Sequence, residues 1–386
     1  MELAAGRVNK TFAGILAAGS MIAGGVGIWA AHANASGAVH AFTSRVFVSA
    51  DGIMHPTASG MEAVAGPDDI TALHHHIFVG FQNGVGPQGQ ASTTGNTDST
   101  VVEFTLTGHE VRQWDVVGKA DGLTADPLDD RVIATVNEDA NSSIYLIDPV
   151  SGGQAVHYRY DKALPSDGGT DAISVYHRMV LVSASAPGTT GSAAPRSKYP
   201  AIYRVVFHAR SHVAKIKSLF GDEAKARVAN RTGGQQGMRV HLALTDPDSN
   251  EVVPAYAHRF AGDFMLTSQG DKEQIFVTGA VSVYPALSVL KLSDSVDDTA
   301  WPSGSKGAIY TTDNGANTVY KITGPFKRGS VYVADTPCDA NGAPSTCPGP
   351  GFTANYLGEL NPDTGVIDRV HLHGPAVAAQ GMLFLP

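Results

Sequence analysis

An acidic residue followed at once by a short apolar run returns along this chain, and no other feature restricts its fold as much. It reads Asp68-Asp69-Ile70-Thr71-Ala72, Asp121-Gly122-Leu123-Thr124-Ala125 and Asp171-Ala172-Ile173-Ser174-Val175. Asp263-Phe264-Met265-Leu266-Thr267 and Asp298-Thr299-Ala300-Trp301 are looser copies, and Gln380-Gly381-Met382-Leu383-Phe384 carries Gln for Asp. Second apolar runs ending in small polar residues follow at 76–80, 131–135, 179–183, 274–278 and 308–312, and third runs lie at 143–147 and 318–322. Such units of three or four short strands cannot bury both faces alone.

A further signature recurs as Asp148-Pro149-Val150-Ser151-Gly152, Asp246-Pro247-Asp248-Ser249-Asn250 and Asn361-Pro362-Asp363-Thr364-Gly365. Pro presets φ and Gly or Asn accepts the left-handed position, so all three copies are expected to turn between the last two strands of a unit. The copy at 246 superficially resembles the start of a calcium loop. Glu251 stands where that loop needs glycine and Ala257 where it needs Glu, so its sister copies assign it to the turns.

Stacking the units radially covers both faces and leaves only short edges. The expected fold is therefore all-β, a β-propeller counted as six blades from the six lead residues. The shortness of the unit from 263 leaves five or seven open. The uneven lead spacing calls for insertions, one at 187–237, where the basic amphipathic stretch 215–227 reads as a short helix. The apolar end 381–386 is expected as an inner strand led by Gln380, with 45–49 as an outer strand of the same blade. Both chain ends would then close the ring and remove its open edges.

Composition agrees: of 386 residues 43% are apolar and 16% charged, with 43 glycines and 21 prolines, which suits many short strands over long helices. Net charge is −9 with no basic run, so nucleic acid is not an expected partner, because phosphate contacts need clustered cations. Arg7 and Lys10 precede an uncharged stretch at 11–31, and Ala31-His32-Ala33 and Ala33-Asn34-Ala35 fit a small-x-small cleavage pattern. We read 1–35 as an export signal, 36–66 as a segment contributing to closure and 67–386 as the propeller. The competing reading of 1–35 is a membrane anchor, although Gly, Ala and Ser dilute it. After cleavage no membrane span is expected, and the location would be secreted or periplasmic. Cys338 and Cys347 are then expected to form a disulfide stapling the loop 338–347.

The stretches Asp121-Gly-Leu-Thr-Ala-Asp-Pro127, 132–135 and Asn141-Ser-Ser-Ile-Tyr-Leu-Ile-Asp-Pro149 resemble the blades of NHL/YVTN-type and gluconolactonase-like extracytoplasmic β-propellers. In the gluconolactonase-like group an Asn at the Asp121 position is a metal ligand, which makes Asp121 the residue this resemblance points to. That group's companion Glu-Gly-Pro has no counterpart here; the nearest text is Gly66-Pro67-Asp68.

Catalytic signatures such as Gly-x-Ser-x-Gly, His-Glu-x-x-His or a phosphate loop are missing from the sequence. The lead column is left as the candidate site: Asp68, Asp121, Asp171, Asp263, Asp298 and Gln380 would ring one mouth of the central channel. Converging carboxylates repel at low dielectric and need a cation, hydrogen-bond donors or raised pKa values. Ca2+ suits such oxygens. The simpler reading is that each Asp only caps the loop entering its strand.

His74-His75-His76, read as strand, would put His74 and His76 on one face, but no carboxylate stands at a diagnostic spacing, so packing or solvent exposure is expected. The polar, Gly-rich loop from Gln82 to Ser99 suits hydrogen bonding to carbohydrate or peptide, or is a plain excursion. Two functions follow. The first is an exported propeller binding a small molecule, carbohydrate or protein on one face, with Ca2+ as a candidate axial cation. The alternative is a metal-dependent hydrolase of the lactonase type.

Overall fold

Six strands stand innermost in their sheets: Pro67–Leu73, Ala120–Asp126, Ile173–Tyr176, Pro247–Val252, Val296–Ala300 and Met382–Leu385. Each packs against the next, and Met382–Leu385 touches both Val296–Ala300 and Pro67–Leu73, so the ring is closed. The computed structural model describes residues 41–164, 169–185, 199–282, 284–339 and 355–386, all within the unit His40–Pro386. Among them there is no α-helix, and none forms a helix long and apolar enough to cross a membrane. The expected export signal lies outside these residues.

The blade begun by Pro67–Leu73 shows the plan. It continues outward as an antiparallel meander through His76–Phe81, Asp98–Thr105 and Glu110–Val117. Second strands are the most apolar: Ile77, Phe78, Val79 and Phe81 are buried on both faces. Adjacent blades need such strands because each face meets a neighbour.

Among the described residues the core falls into six clusters, each formed between neighbouring blades. Phe81 and Phe104 of the first blade, for example, meet Tyr310 and Val319 of the closing blade. Each such fully buried side chain contributes about 1.5–3 kcal/mol. The fold is held by contacts between blades.

Closure follows the expected scheme. Met382–Leu385 pairs with Ala308–Asp313, which pairs with Thr318–Thr323, and Phe42–Ser49 adds the next strand. The interleaving was not foreseen. The hairpin at 308–323 joins this closing blade, whereas Val296–Ala300, which precedes it in sequence, pairs with Val331–Asp335. The blade begun at 296 is completed by Tyr356–Leu360 and Ile367–Arg369.

Two local expectations are corrected. The amphipathic stretch 215–227 is not a helix: Val213–Gly221 and Lys225–Val228 are strands. Its apolar residues alternate, with Ala214 and Ile216 buried and Lys215 and Lys217 exposed, which is a period of two. Much of the expected insertion is thus ordinary blade, since Pro200–His208 and Val213–Gly221 are the outer strands of the blade begun by Ile173–Tyr176. Second, Asp246-Pro247-Asp248 opens an inner strand rather than a turn. Its sister copies do turn, with Asp148 Oδ1 and Asn361 Oδ1 accepting the N–H groups two and three residues on. Pro247, like Pro67, is the first residue of an edge strand facing the channel, where its missing N–H leaves no gap in a ladder.

Candidate functional site

The observed pairing sets the register of the inner strands. Asp68, Asp121, Asp171, Asp248, Asp297 and Gln380 occupy equivalent leads; the next position holds Asp69, Gly122, Ala172, Ser249, Asp298 and Gly381. Asp68, Asp121, Asp171 and Gln380 therefore stand where the sequence put them, around one cavity of about 720 Å³ along the axis.

Asp263 does not belong there. It precedes a second strand, Phe264–Ser268, and its Oδ2 accepts a hydrogen bond from the Thr278 hydroxyl at 3.0 Å away from the cavity. An acid followed by an apolar run marks second strands as well as inner ones, and the turn-like Asp246-Pro247 hid the true lead, Asp248. Asp298 lines the cavity but sits one position past its lead, Asp297.

That single step separates two roles. At the second position the carboxylates clasp neighbouring strands: Asp69 Oδ2 accepts the Leu123 N–H at 2.6 Å, and Asp298 Oδ2 accepts the Met382 N–H at 2.5 Å. Where that position is glycine, the next blade's backbone comes close instead. A Cβ on Gly122 would stand 2.6 Å from the Asp171 carbonyl oxygen, and one on Gly381 would stand 2.3 Å from that of Asp68. Thr135 and Thr312 hydroxyls donate to those same two carbonyls.

The cavity is strongly acidic. Among the described residues eleven carboxylates line it, Asp68, Asp69, Asp121, Glu138, Asp171, Asp246, Asp248, Glu251, Asp297, Asp298 and Asp339, against one cation, Lys119. The lysine lies 2.9 Å from Asp121 Oδ1 and pairs with Glu138. Burial works against its charge, but Asp121 and Glu138 hold the ammonium well above its usual range. Burial also pushes on Glu138, yet Lys119 keeps that carboxyl below its ordinary value.

The remaining acids move the other way. Burial, opposed by Lys119, brings Asp68 up to about 6, and burial reinforced by the Glu138 charge brings Asp246 up to about 6. Burial likewise raises Asp121 and Asp171, each next to Glu138, Asp248 beside Asp171, and Asp297 beside Asp68. Deeper in the channel burial and the Asp298 charge raise Glu251, which shares a hydrogen bond with Asp298. Two acids so placed cannot both ionise cheaply.

Several of these residues carried legible signals that the lead column alone did not expose. Lys119 and Asp246 each stand two residues before a lead. Gln82, Glu138, Gln269 and Asp339 all lie in loops that follow second strands, and those loops share the acidic mouth with the leads. Gln82 Nε2 donates to Asp121 Oδ1 at 3.2 Å, so the polar loop expected at 82–99 touches the mouth through its first residue. Its Pro87 carbonyl accepts the Glu138 N–H at 2.8 Å.

Only His76 of the histidine cluster is in a strand, opening His76–Phe81; His74 and His75 form the turn before it. His74 and His75 have φ of 50° and 64° and are exposed, with His74 Nε2 3.0 Å from Asp130 Oδ1 and His76 against Glu103. Cys338 is buried and no described cysteine is free, while Cys347 lies outside the described residues.

The donor set does not fit a calcium ion. Among the described residues no three His, Cys, Asp or Glu side chains are grouped to hold a metal, whereas Ca2+ draws six to eight oxygens to about 2.3–2.6 Å.

No family model matches this chain, and no curated protein matches it. Among solved structures it is similar to a periplasmic gluconolactonase of Pseudomonas aeruginosa, at 9% identity and TM-score 0.46 over 89% of this chain and 99% of that one. It is also similar to a protein of unknown function from Bacteroides thetaiotaomicron, at 12% identity and TM-score 0.44, over 88% of this chain and 66% of that chain's length. A glutaminyl cyclase of Myxococcus xanthus follows at 10% identity and TM-score 0.37, over 74% of this chain and 97% of that one. Likenesses this distant assign no activity.

Proposed function

We propose that this chain is an exported, six-bladed propeller whose axial channel binds a small cationic ligand. The observation that carries the reading is the balance of charge in one cavity of about 720 Å³, where, among the described residues, eleven carboxylates face a single lysine. The volume suits a small molecule. A ligand ammonium would replace the protons those buried acids now retain, and the low dielectric of the channel strengthens the attraction. Export rests on the N-terminal text at 1–35, and a disulfide between Cys338 and Cys347 belongs to the same proposal.

The metal-dependent lactonase alternative has less behind it, because it needs a converging set of ligands. Thermal melts of the purified protein with spermidine, with CaCl2 and with EDTA separate the two readings. A native-state ligand raises the melting temperature by mass action. The cationic-ligand reading expects a rise with spermidine and indifference to EDTA. A rise with CaCl2, reversed by EDTA and absent with spermidine, would favour the metal. No response to any of them would overturn the proposal.

A further inference from the structure

The cavity has two unlike ends, and the strand directions say which is which. All six inner strands start at the acidic mouth, where Asp68, Asp121, Asp171, Asp248 and Asp297 stand. At the other ends of these strands the wall is apolar and aromatic: Val175, Val252, Tyr256, Trp301, Leu383 and Phe384. Tyr256 is fixed there by its hydroxyl, which donates to the Trp301 carbonyl at 2.9 Å.

Between the two ends lie polar atoms with nothing to bond. Ser174 lines the cavity, is only 6% exposed, and its hydroxyl has no hydrogen-bond partner among the described residues. Asn250, 4% exposed, uses its amide nitrogen on the Ala172 carbonyl and the Ser183 hydroxyl, and leaves Oδ1 without a partner. Both oxygens are closed off from the open cavity, so they belong to the wall and not to a ligand contact.

We infer that the channel takes an amphipathic amine, with its ammonium among the lead carboxylates and an aromatic or branched apolar body against Trp301 and Tyr256. The inference rests on the cationic-ligand reading and narrows it. From Asp297 to Trp301 the strand advances about 13 Å at roughly 3.3 Å per residue. Once the carboxylate and indole have taken their share of that length, a spacer of a few methylenes joins head to body. The aromatic end gives the apolar body a place to leave water, at about 25 cal/mol per Å2 buried.

The test is a binding series on the full secreted protein by isothermal titration: butylamine, phenylbutylamine, phenylbutanol and spermidine. The inference expects phenylbutylamine to bind at least tenfold tighter than butylamine and tenfold tighter than phenylbutanol. Tyr256→Ala should abolish the gain over butylamine while leaving spermidine unchanged. Equal affinity of butylamine and phenylbutylamine, with spermidine still bound, would overturn the aromatic end alone. Equal affinity of phenylbutanol and phenylbutylamine, or no binding by any amine, would overturn the cationic reading beneath it. The wild-type series decides both points even if the variant fails to fold.

Discussion

Asp69 and Asp298 perform the same task on different blades: each carboxylate reaches the backbone N–H of the neighbouring inner strand, Leu123 in one case and Met382 in the other. Each also accepts the N–H of its own next residue, at 2.7 Å in both. These bonds satisfy backbone N–H groups inside the channel wall and tie each inner strand to its neighbour.

Removing one of them should therefore be costly. Asp298→Ala frees the Met382 and Thr299 N–H groups and is expected to destabilise the protein by about 2–4 kcal/mol. Asp263→Ala, which the sequence pattern alone would rank equal to it, should cost under about 1 kcal/mol, since it gives up one half-exposed bond to Thr278. Urea unfolding of both variants checks the register. Equal losses would contradict it.

Gly122 is needed for closeness and not for an unusual backbone. A methyl there would press on the Asp171 carbonyl oxygen, 2.6 Å away, and on the Ala172 backbone at 2.7 Å. Backbone yields little, so Gly122→Ala should cost about 1–3 kcal/mol through a forced separation of blades. Gly262→Ala is a weaker comparison for space, because nothing stands within 4 Å there, although its φ of +80° strains any side chain. Gly304, with open space and no such φ, is the proper control and should tolerate alanine. Melting temperatures of the two alanine variants decide the matter.

Stability should fall as pH rises. Asp68 and Asp246 are raised from 3.8 to about 6, and Asp335, buried near Asp294, to about 7. A carboxyl raised in this way binds more protons folded than unfolded between its unfolded and folded values, and the slope of stability with pH is then negative. The effect begins near pH 4 and runs to about pH 8, one unit above the highest of these values. Ligand-free protein should melt higher at pH 5 than at pH 8, and a saturating cation should flatten the curve. A melting temperature that climbs across that range would count against retained protons in the channel.

Much of this was legible before any coordinates. Apolar runs of period two and their turn residues lead directly to an all-β propeller, and the apolar 381–386 supplies the inner strand Met382–Leu385, with Met382 buried and the next three residues half-buried. Asp68, Asp121, Asp171 and Gln380 are legible because each stands two residues before a large apolar residue of an inner strand. The pattern failed at 246–263 for a physical reason: Asp-Pro opens turns and inner strands alike, and only pairing across the sheet distinguishes them. It failed again at 297–298, where two adjacent acids offer two registers one residue apart and burial of opposite faces. Glu138, Asp339 and Gln82 were missed because a loop's aim depends on the strand that feeds it. The interleaved hairpin at 308–323 was beyond reach, since each of its strands is as apolar as those it displaced.

The central claim is that buried acids in the channel hold protons which a cationic ligand displaces. Isothermal titration with spermidine at pH 7.5, repeated in phosphate and in Tris, counts those protons from the difference in heat between buffers. The account predicts saturable binding with net proton release, reduced in Asp171→Asn. Saturable binding with no buffer dependence, or the absence of binding in both buffers, would contradict it.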